Sequence, residues 1–287
     1  MTSKFRVILI LCLTALLALL AGCGDDDGSS SADSGQSAAD CNPEALETVT
    51  PGTLTVATDK PAFPPYFVDD DPTNGKGFES AVAFAIADEL GYAEADVKWV
   101  VESFNSSYAP GPKDFDFDVN QISITPQREE QVDFSSTYYE AGQAVVALKD
   151  SELAGATSLD DLADAKIGVQ LGTTSLDAVN ETIQPSEDPQ VFNNSTDVIN
   201  ALKNEQVDAV VVDVPTAFFL TAVQVPEATA VGQFAAPGGD EWGALLEKGS
   251  PLTECVSAAV DTLRESGDLA AIEEQWIQKA TDAPTLD

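Results

Sequence analysis

A strand–helix–strand run appears early in this chain and starts again further on, and that repetition narrows the folds open to it. Gly52-Thr53-Leu54-Thr55-Val56-Ala57-Thr58 is a β-type segment. Phe78 to Leu90 places Val82, Ile86 and Leu90 at helical spacing, and Gly91 fits a C-terminal stop. Val97-Lys98-Trp99-Val100-Val101 reads as a second strand. This order argues for a parallel α/β sheet. The pattern then resumes. Ser158 to Leu162 looks like a short capped helix, and Lys166 to Gln170 like a strand. Leu171 to Ser175 is a tight turn into a helix running to about Ile183. Val191-Phe192 is a short strand, Thr196 to Asn204 is helical in pattern, and Val207 to Val212 is a buried strand that ends in Asp213. A β segment at Trp242–Leu246 and helices over Pro251–Ser266 and Leu269–Lys279 complete the chain. Two α/β units in succession predict two lobes.

The first residues set a compartment. Met1-Thr2-Ser3-Lys4-Phe5-Arg6 is basic, and Val7 to Leu20 is an almost unbroken apolar run. The run falls short of the ~20 residues that span a bilayer as a helix. A basic start, a short apolar middle and small residues after it make a secretory signal, expected over residues 1–22. The run ends Leu20-Ala21-Gly22-Cys23, which resembles a bacterial lipobox and predicts lipidation at Cys23. Gly24 to Asp40 has no large apolar residue, so 23–40 is expected to be a flexible tether. The protein is therefore expected outside the cytoplasm, held at the bacterial cell membrane by a lipid anchor. Beyond Cys12 and Cys23, only Cys41 and Cys255 remain, and in an exported chain that pair suggests a disulfide. Two free thiols are the alternative.

Charge removes some functions. The 287 residues hold 13 basic and 49 acidic side chains, a net charge of −36. Nucleic acid is excluded as a partner, because phosphate neutralisation needs clustered Lys and Arg. The chain has no histidine and no close cysteine pair, so a zinc site is not expected, and no other metal or cofactor is called for.

The segment Ile122-Ser123-Ile124-Thr125-Pro126-Gln127-Arg128 carries the clearest chemistry. A β-rich run with small hydroxyl side chains leads to an isolated arginine. The guanidinium offers a planar fork that matches a carboxylate, and hydroxyls and amides beside it can take the remaining lone pairs. Ligands of parallel α/β sheets bind at the carboxyl ends of strands. Asp59 and Phe63 follow the first strand, Thr173 and Thr174 follow the strand at 166–170 and open a helix, and Asp213 ends the strand at 207–212. The free amides of a helix start favour an anion.

Taken in order, these motifs resemble the extracellular solute-binding proteins of amino-acid ABC transporters, solute-binding protein family 3. The resemblance covers about Gly52 to Lys279. It rests on Ala57-Thr58-Asp59 with Phe63-Pro64-Pro65-Tyr66, on Gly77-Phe78-Glu79, and on Ile124-Thr125-Pro126-Gln127-Arg128 with Val132-Asp133-Phe134-Ser135. It continues through Ile167 to Thr174, Asp208 to Asp213 and Trp242-Gly243-Ala244-Leu245. The resemblance implies a two-lobe α/β fold of the type II periplasmic-binding-protein kind, with two hinge strands and the ligand in the cleft. Lobe one would comprise 45–140 plus 241–280 and lobe two 143–237, with hinges near Tyr139–Gly142 and Gly238–Trp242. Arg128 would clamp an α-carboxylate with the Ser123 amide and Thr174. The α-ammonium would meet the Ser123 hydroxyl, the Gln121 carbonyl and Asp213. Phe63 and Phe104 would wall the side chain, with Asp59 at its far end. The expected partners are an amino acid and an ABC transporter permease, with the protein acting as a monomer.

The chain departs from that pattern near the side-chain pocket. Gln121-Ile122 stands where the family usually carries Gly-Met, Gly-Ile or Ser-Leu, Tyr108 to Asp118 replaces a helix, and Gln170 stands where some relatives carry lysine. No second cation sits in the motif positions, although Lys60 is close, and Asp59, Glu102 and Asp118 are acids nearby. A polar neutral or basic amino acid is the expected ligand. An enzyme resembling periplasmic cyclohexadienyl dehydratase, using Glu102 or Asp59 as its acid, is the competing reading. A ligand-sensing lipoprotein is another. The absence of histidine and of a cysteine nucleophile favours binding over catalysis.

Overall fold

A computed structural model of the protein describes residues 41–277 and 283–286. The signal segment, Cys23, the tether and Lys279 lie outside the described residues.

Two five-stranded sheets organise the molecule. The first contains β1 (Leu54–Thr58), β2 (Val97–Val101), β3 (Phe117–Asp118), β4 (Val132–Glu140) and β10 (Glu241–Glu247), in the order β2-β1-β3-β10-β4. The second contains β5 (Gln143–Leu148), β6 (Ile167–Gln170), β7 (Gln190–Phe192), β8 (Ala209–Asp213) and β9 (Ala228–Phe234), in the order β7-β6-β8-β5-β9. Helices α1 (Phe78–Glu89), α2 (Phe104–Ser107), α3 (Pro126–Glu129), α7 (Thr253–Ser266) and α8 (Asp268–Trp276) accompany the first sheet. Helices α4 (Thr174–Ala178), α5 (Ser195–Lys203) and α6 (Val214–Phe219) accompany the second.

Strand β1 is buried along its whole length because β2 and β3 flank it in parallel and helices cover its faces. Gly77 opens α1 at φ 102°, and a Cβ there would land on the Tyr66 carbonyl, so the turn into the helix requires glycine.

The parallel pairings predicted for the two units are present, β1 with β2 and β3 and β6 with β7 and β8, and further strands make each sheet mixed. β10 runs antiparallel to β3 and β4, and β5 runs antiparallel to β8 and β9. The cause is the path of the chain. It leaves the first sheet along β4, enters the second along β5, leaves again along β9 and returns along β10. The strands that enter a sheet from the crossing, β5 and β10, run against its βαβ units, while those that leave it, β4 and β9, run with them. At the crossing, Glu140 pairs with Glu241, and the Ala141 amide donates to the Asp240 carbonyl at 2.8 Å.

Two further features tie the molecule together. Cys41 and Cys255 form a disulfide with Cα atoms 5.4 Å apart, fixing the segment before β1 to α7. At the other end, the Gln233 amide donates to the Pro284 carbonyl at 2.7 Å, and the Leu286 amide donates back to the Gln233 carbonyl at 2.9 Å. Residues 283–286 thus lie along β9 while α8 packs on α1.

Candidate functional site

A cavity of about 510 Å³ lies between the carboxyl ends of the two sheets and is lined from both. The first sheet contributes Asp59 and Phe63 after β1, Phe104 on α2, and Gln121 and Ser123 after β3. The second contributes Thr173 and Thr174 at the start of α4 and Asp213 at the end of β8. Of the nine residues singled out from sequence as ligand-binding, the structure brings these eight to one cavity.

Arg128 is the exception. Residues 122–124 form a single bridge to β10 rather than a strand, and Thr125 caps the short helix α3, accepting from the Arg128 amide at 3.2 Å. The Arg128 side chain then runs behind the cavity wall and is 7% exposed. One terminal nitrogen donates to the Ser123 carbonyl at 2.6 Å, the other to the Gly172 carbonyl at 3.0 Å. Its guanidinium lies 5.4 Å from the Phe104 ring centre and 4.8 Å from that of Tyr108. Burial lowers its pKa, while Tyr108 and Asp240 oppose that effect. A guanidinium starts so far above neutrality that it stays cationic.

Gln121 occupies the left-handed region at φ 49°. A buried carboxylate secures it there. The Gln121 amide donates to Glu79 Oε1 at 2.6 Å and its side chain donates to Glu79 Oε2; the Tyr138 hydroxyl also donates to Oε1, at 2.6 Å. Burial pushes Glu79 up to about 7, against the pull of these donors. In the sequence Glu79 stands out only as part of the Gly77-Phe78-Glu79 motif, which gives no hint of what it holds.

Asp213 does not stand alone. The Gln143 side-chain amide donates to Asp213 at 2.9 Å and to Asp240 at 2.5 Å. Its carbonyl oxygen accepts from the Ser175 hydroxyl at 2.6 Å. Asp240 also accepts from the Ser123 hydroxyl at 2.5 Å and from the Thr174 hydroxyl at 3.3 Å. Burial raises both carboxyls, and the charge of Asp240 raises Asp213 further. Asp240 and Gln143 were missed in sequence reading. Gln143 had a usable signal, since a lone amide in the apolar strand Ala144–Ala147 must find partners once buried. Asp240 follows Pro237-Gly238-Gly239 and reads as an ordinary loop acid.

The remaining residues are locally engaged. Asp59 accepts from the Lys60 amide at 2.6 Å and from the Phe104 amide at 3.3 Å. Thr173 caps α4, accepting from the Leu176 amide at 3.2 Å while its hydroxyl donates to the Gln170 carbonyl at 2.9 Å. Asp59, Asp197 and Asp213 face the cavity against one cation, Lys60, whose amine lies 3.3 Å from Asp70. The wall therefore offers an excess of negative charge to a small polar molecule.

Comparison with known proteins agrees with this geometry. Residues 54–279 match the model of the bacterial extracellular solute-binding proteins, family 3. The chain is 30% identical over 215 residues to the arginine-binding extracellular protein ArtP of Bacillus subtilis, covering 70% of this chain and 77% of that one. It is 29% identical over 231 residues to the L-cystine-binding protein TcyJ of Escherichia coli, covering 78% and 82%. Among solved structures, an ancestral arginine-binding protein bound to arginine superimposes with a TM-score of 0.65 at 33% identity, over 78% of this chain and 97% of that one. The lobes, the cavity between them and the run of motifs along the chain have one source: this protein belongs to the bacterial extracellular solute-binding proteins, family 3.

Proposed function

We propose that this protein is the substrate-binding lipoprotein of an ABC importer, which captures a polar amino acid, neutral or basic, in the cleft and delivers it to a membrane permease. The observation that carries this reading is the cavity, where eight sequence-nominated residues converge from both sheets. Arg128, one step behind the wall, supplies positive charge at the end where an α-carboxylate would lie, with the amides of Ser123 and Thr174. Asp213, with the Gln121 carbonyl and the Ser123 hydroxyl, takes the α-ammonium. Phe63 and Phe104 flank the side chain, and Asp59 receives its polar end. The excess of acids over Lys60 in the wall favours a neutral or cationic side chain over an acidic one.

A zwitterion bridges groups of opposite sign on the two lobes, so closure is favoured only with ligand present. The lobes hinge near Tyr139–Gly142 and Gly238–Trp242, lobe one being 45–140 plus 241–280 and lobe two 143–237. The closed form is what the permease recognises. Cys23 carries the lipid, and 23–40 tethers the monomeric binding unit to the membrane. No catalytic step is assigned.

A thermal-shift screen of the purified protein against the twenty amino acids, cystine and ornithine tests this. A polar neutral or basic amino acid should raise the melting temperature in proportion to the logarithm of its concentration. No shift with any of them, or turnover of prephenate or arogenate, would overturn the reading.

A further inference from the structure

Asp240 does not line the cavity, yet it touches two side chains that do. It is 4% exposed and sits where the chain returns to the first sheet. Its oxygens take the Ser123 hydroxyl from one lobe and the Thr174 and Gln143 side chains from the other. A hydroxyl has one proton, and a carboxylate can only accept. The Ser123 proton is committed to Asp240 at 2.5 Å. The Thr174 oxygen lies 3.3 Å and 3.5 Å from the two Asp240 oxygens and 3.2 Å from the Ser123 oxygen. Its proton goes to one of these acceptors in either case. Both hydroxyl oxygens are thereby left with only lone pairs for the cavity.

We infer that Asp240 is a specificity-determining positioning residue: it takes the Ser123 hydroxyl proton and offers an acceptor for that of Thr174, so that these two hydroxyls accept from a ligand ammonium and do not donate to a ligand carboxylate. The inference rests on the amino-acid-binding reading and deepens it. Burial raises the Asp240 pKa, and the Ser123, Gln143 and Thr174 side chains and the Arg128 charge oppose that rise. Asp213, which lines the cavity, is joined to Asp240 through the Gln143 side-chain amide. An asparagine at position 240 would offer an amide donor of its own and release the Ser123 proton toward the ligand.

The test compares two pairs of probes, L-arginine with des-amino-arginine and L-glutamine with des-amino-glutamine. The wild-type protein should prefer the amine-bearing member of a pair. In Asp240→Asn, with melting temperature and circular dichroism checked first, that preference should fall by about tenfold or more, the value of one charge-assisted hydrogen bond. Thr174→Val, at a half-buried position, is the second variant should Asp240→Asn not fold. It should weaken the amino acid and leave the des-amino analogue unchanged. An unaltered preference in Asp240→Asn, or equal weakening of both ligands in Thr174→Val, overturns the inference while the binding reading stands. A wild-type protein that binds none of the twenty amino acids, cystine or ornithine overturns both.

Discussion

The Arg128 guanidinium and the Gly172 carbonyl meet at 3.0 Å across the cleft. Arg128 belongs to a short helix of the first lobe, and Gly172 to the turn after β6 in the second. The same guanidinium fixes the Ser123 carbonyl and lies beside the Phe104 and Tyr108 rings. One side chain therefore shapes the wall around Ser123 and links the two lobes.

Replacing that side chain should affect ligand binding more than folding. Arg128→Ala should weaken amino-acid binding by about a hundredfold or more, while unfolding free energy falls by about 1–3 kcal/mol, the range for charge-assisted hydrogen bonds. Arg128→Lys should not restore affinity, since an ammonium cannot hold two carbonyls in the geometry of the fork. Isothermal titration calorimetry and urea unfolding of both variants check this.

Gly172 has its own constraint. It adopts φ 75°, and a Cβ would meet the Tyr108 hydroxyl and lie 2.8 Å from Asn105 Oδ1 of the opposite lobe. Gly172→Ala should keep the lobes from reaching the arrangement seen here. Affinity should drop about tenfold or more for a closure cost of about 1.4 kcal/mol. Small-angle scattering should show a smaller compaction on adding ligand than in the wild type.

The disulfide closes a loop with a sequence separation of 214. Cys41→Ser with Cys255→Ser should lower unfolding free energy by about 2–5 kcal/mol. Denaturant unfolding under oxidising conditions measures it. Neither cysteine lines the cavity, so affinity at low temperature should change little.

A buried acid predicts a pH dependence of stability. Asp118 is fully buried. Its Oδ2 accepts from the Ser107 hydroxyl, and its Oδ1 has no partner among the described residues. Burial pushes its pKa up from 3.8 to about 8, against the Ser107 bond and with help from Glu79. A folded pKa above the unfolded one means the folded state holds the proton longer. The resulting stability is fully present below about pH 4 and is lost as pH rises through about 8. Asp118→Asn removes this loss. The melting temperature of the variant relative to wild type should therefore rise steadily from pH ~4 to pH ~8 and level off above.

Much of the fold was legible because it is local. Leu54–Thr58, Val97–Val101 and the helix from Phe78 carry period and punctuation that neighbouring residues alone establish. The long strand β4 was not anticipated beyond its opening motif. Its burial does not alternate, because one end lies in the first sheet and the other in the crossing. The same crossing hides β5 and β9, whose direction follows from where the chain has been and not from their residue types. At the site, Asp59, Thr174 and Asp213 were legible because each ends a strand or opens a helix, and Ser123 because it belongs to the hydroxyl-rich run before Arg128. Asp240 and Gln143 were not, since their meaning lies in partners from distant parts of the chain.

The order of residues by itself determined the two α/β units, the family and the residue types available for holding a charged head group. Those are properties of short segments, fixed by periodicity, caps and motif spacing. Tertiary structure alone decided that Arg128 donates to the Ser123 and Gly172 carbonyls, that Asp240 meets the Ser123 and Thr174 hydroxyls, and that Asp213 and Asp240 share one amide. The physical reason is that hydrogen-bond donors are assigned by distance and burial. Those quantities arise only when segments separated by a hundred or more residues meet in a low-dielectric cleft.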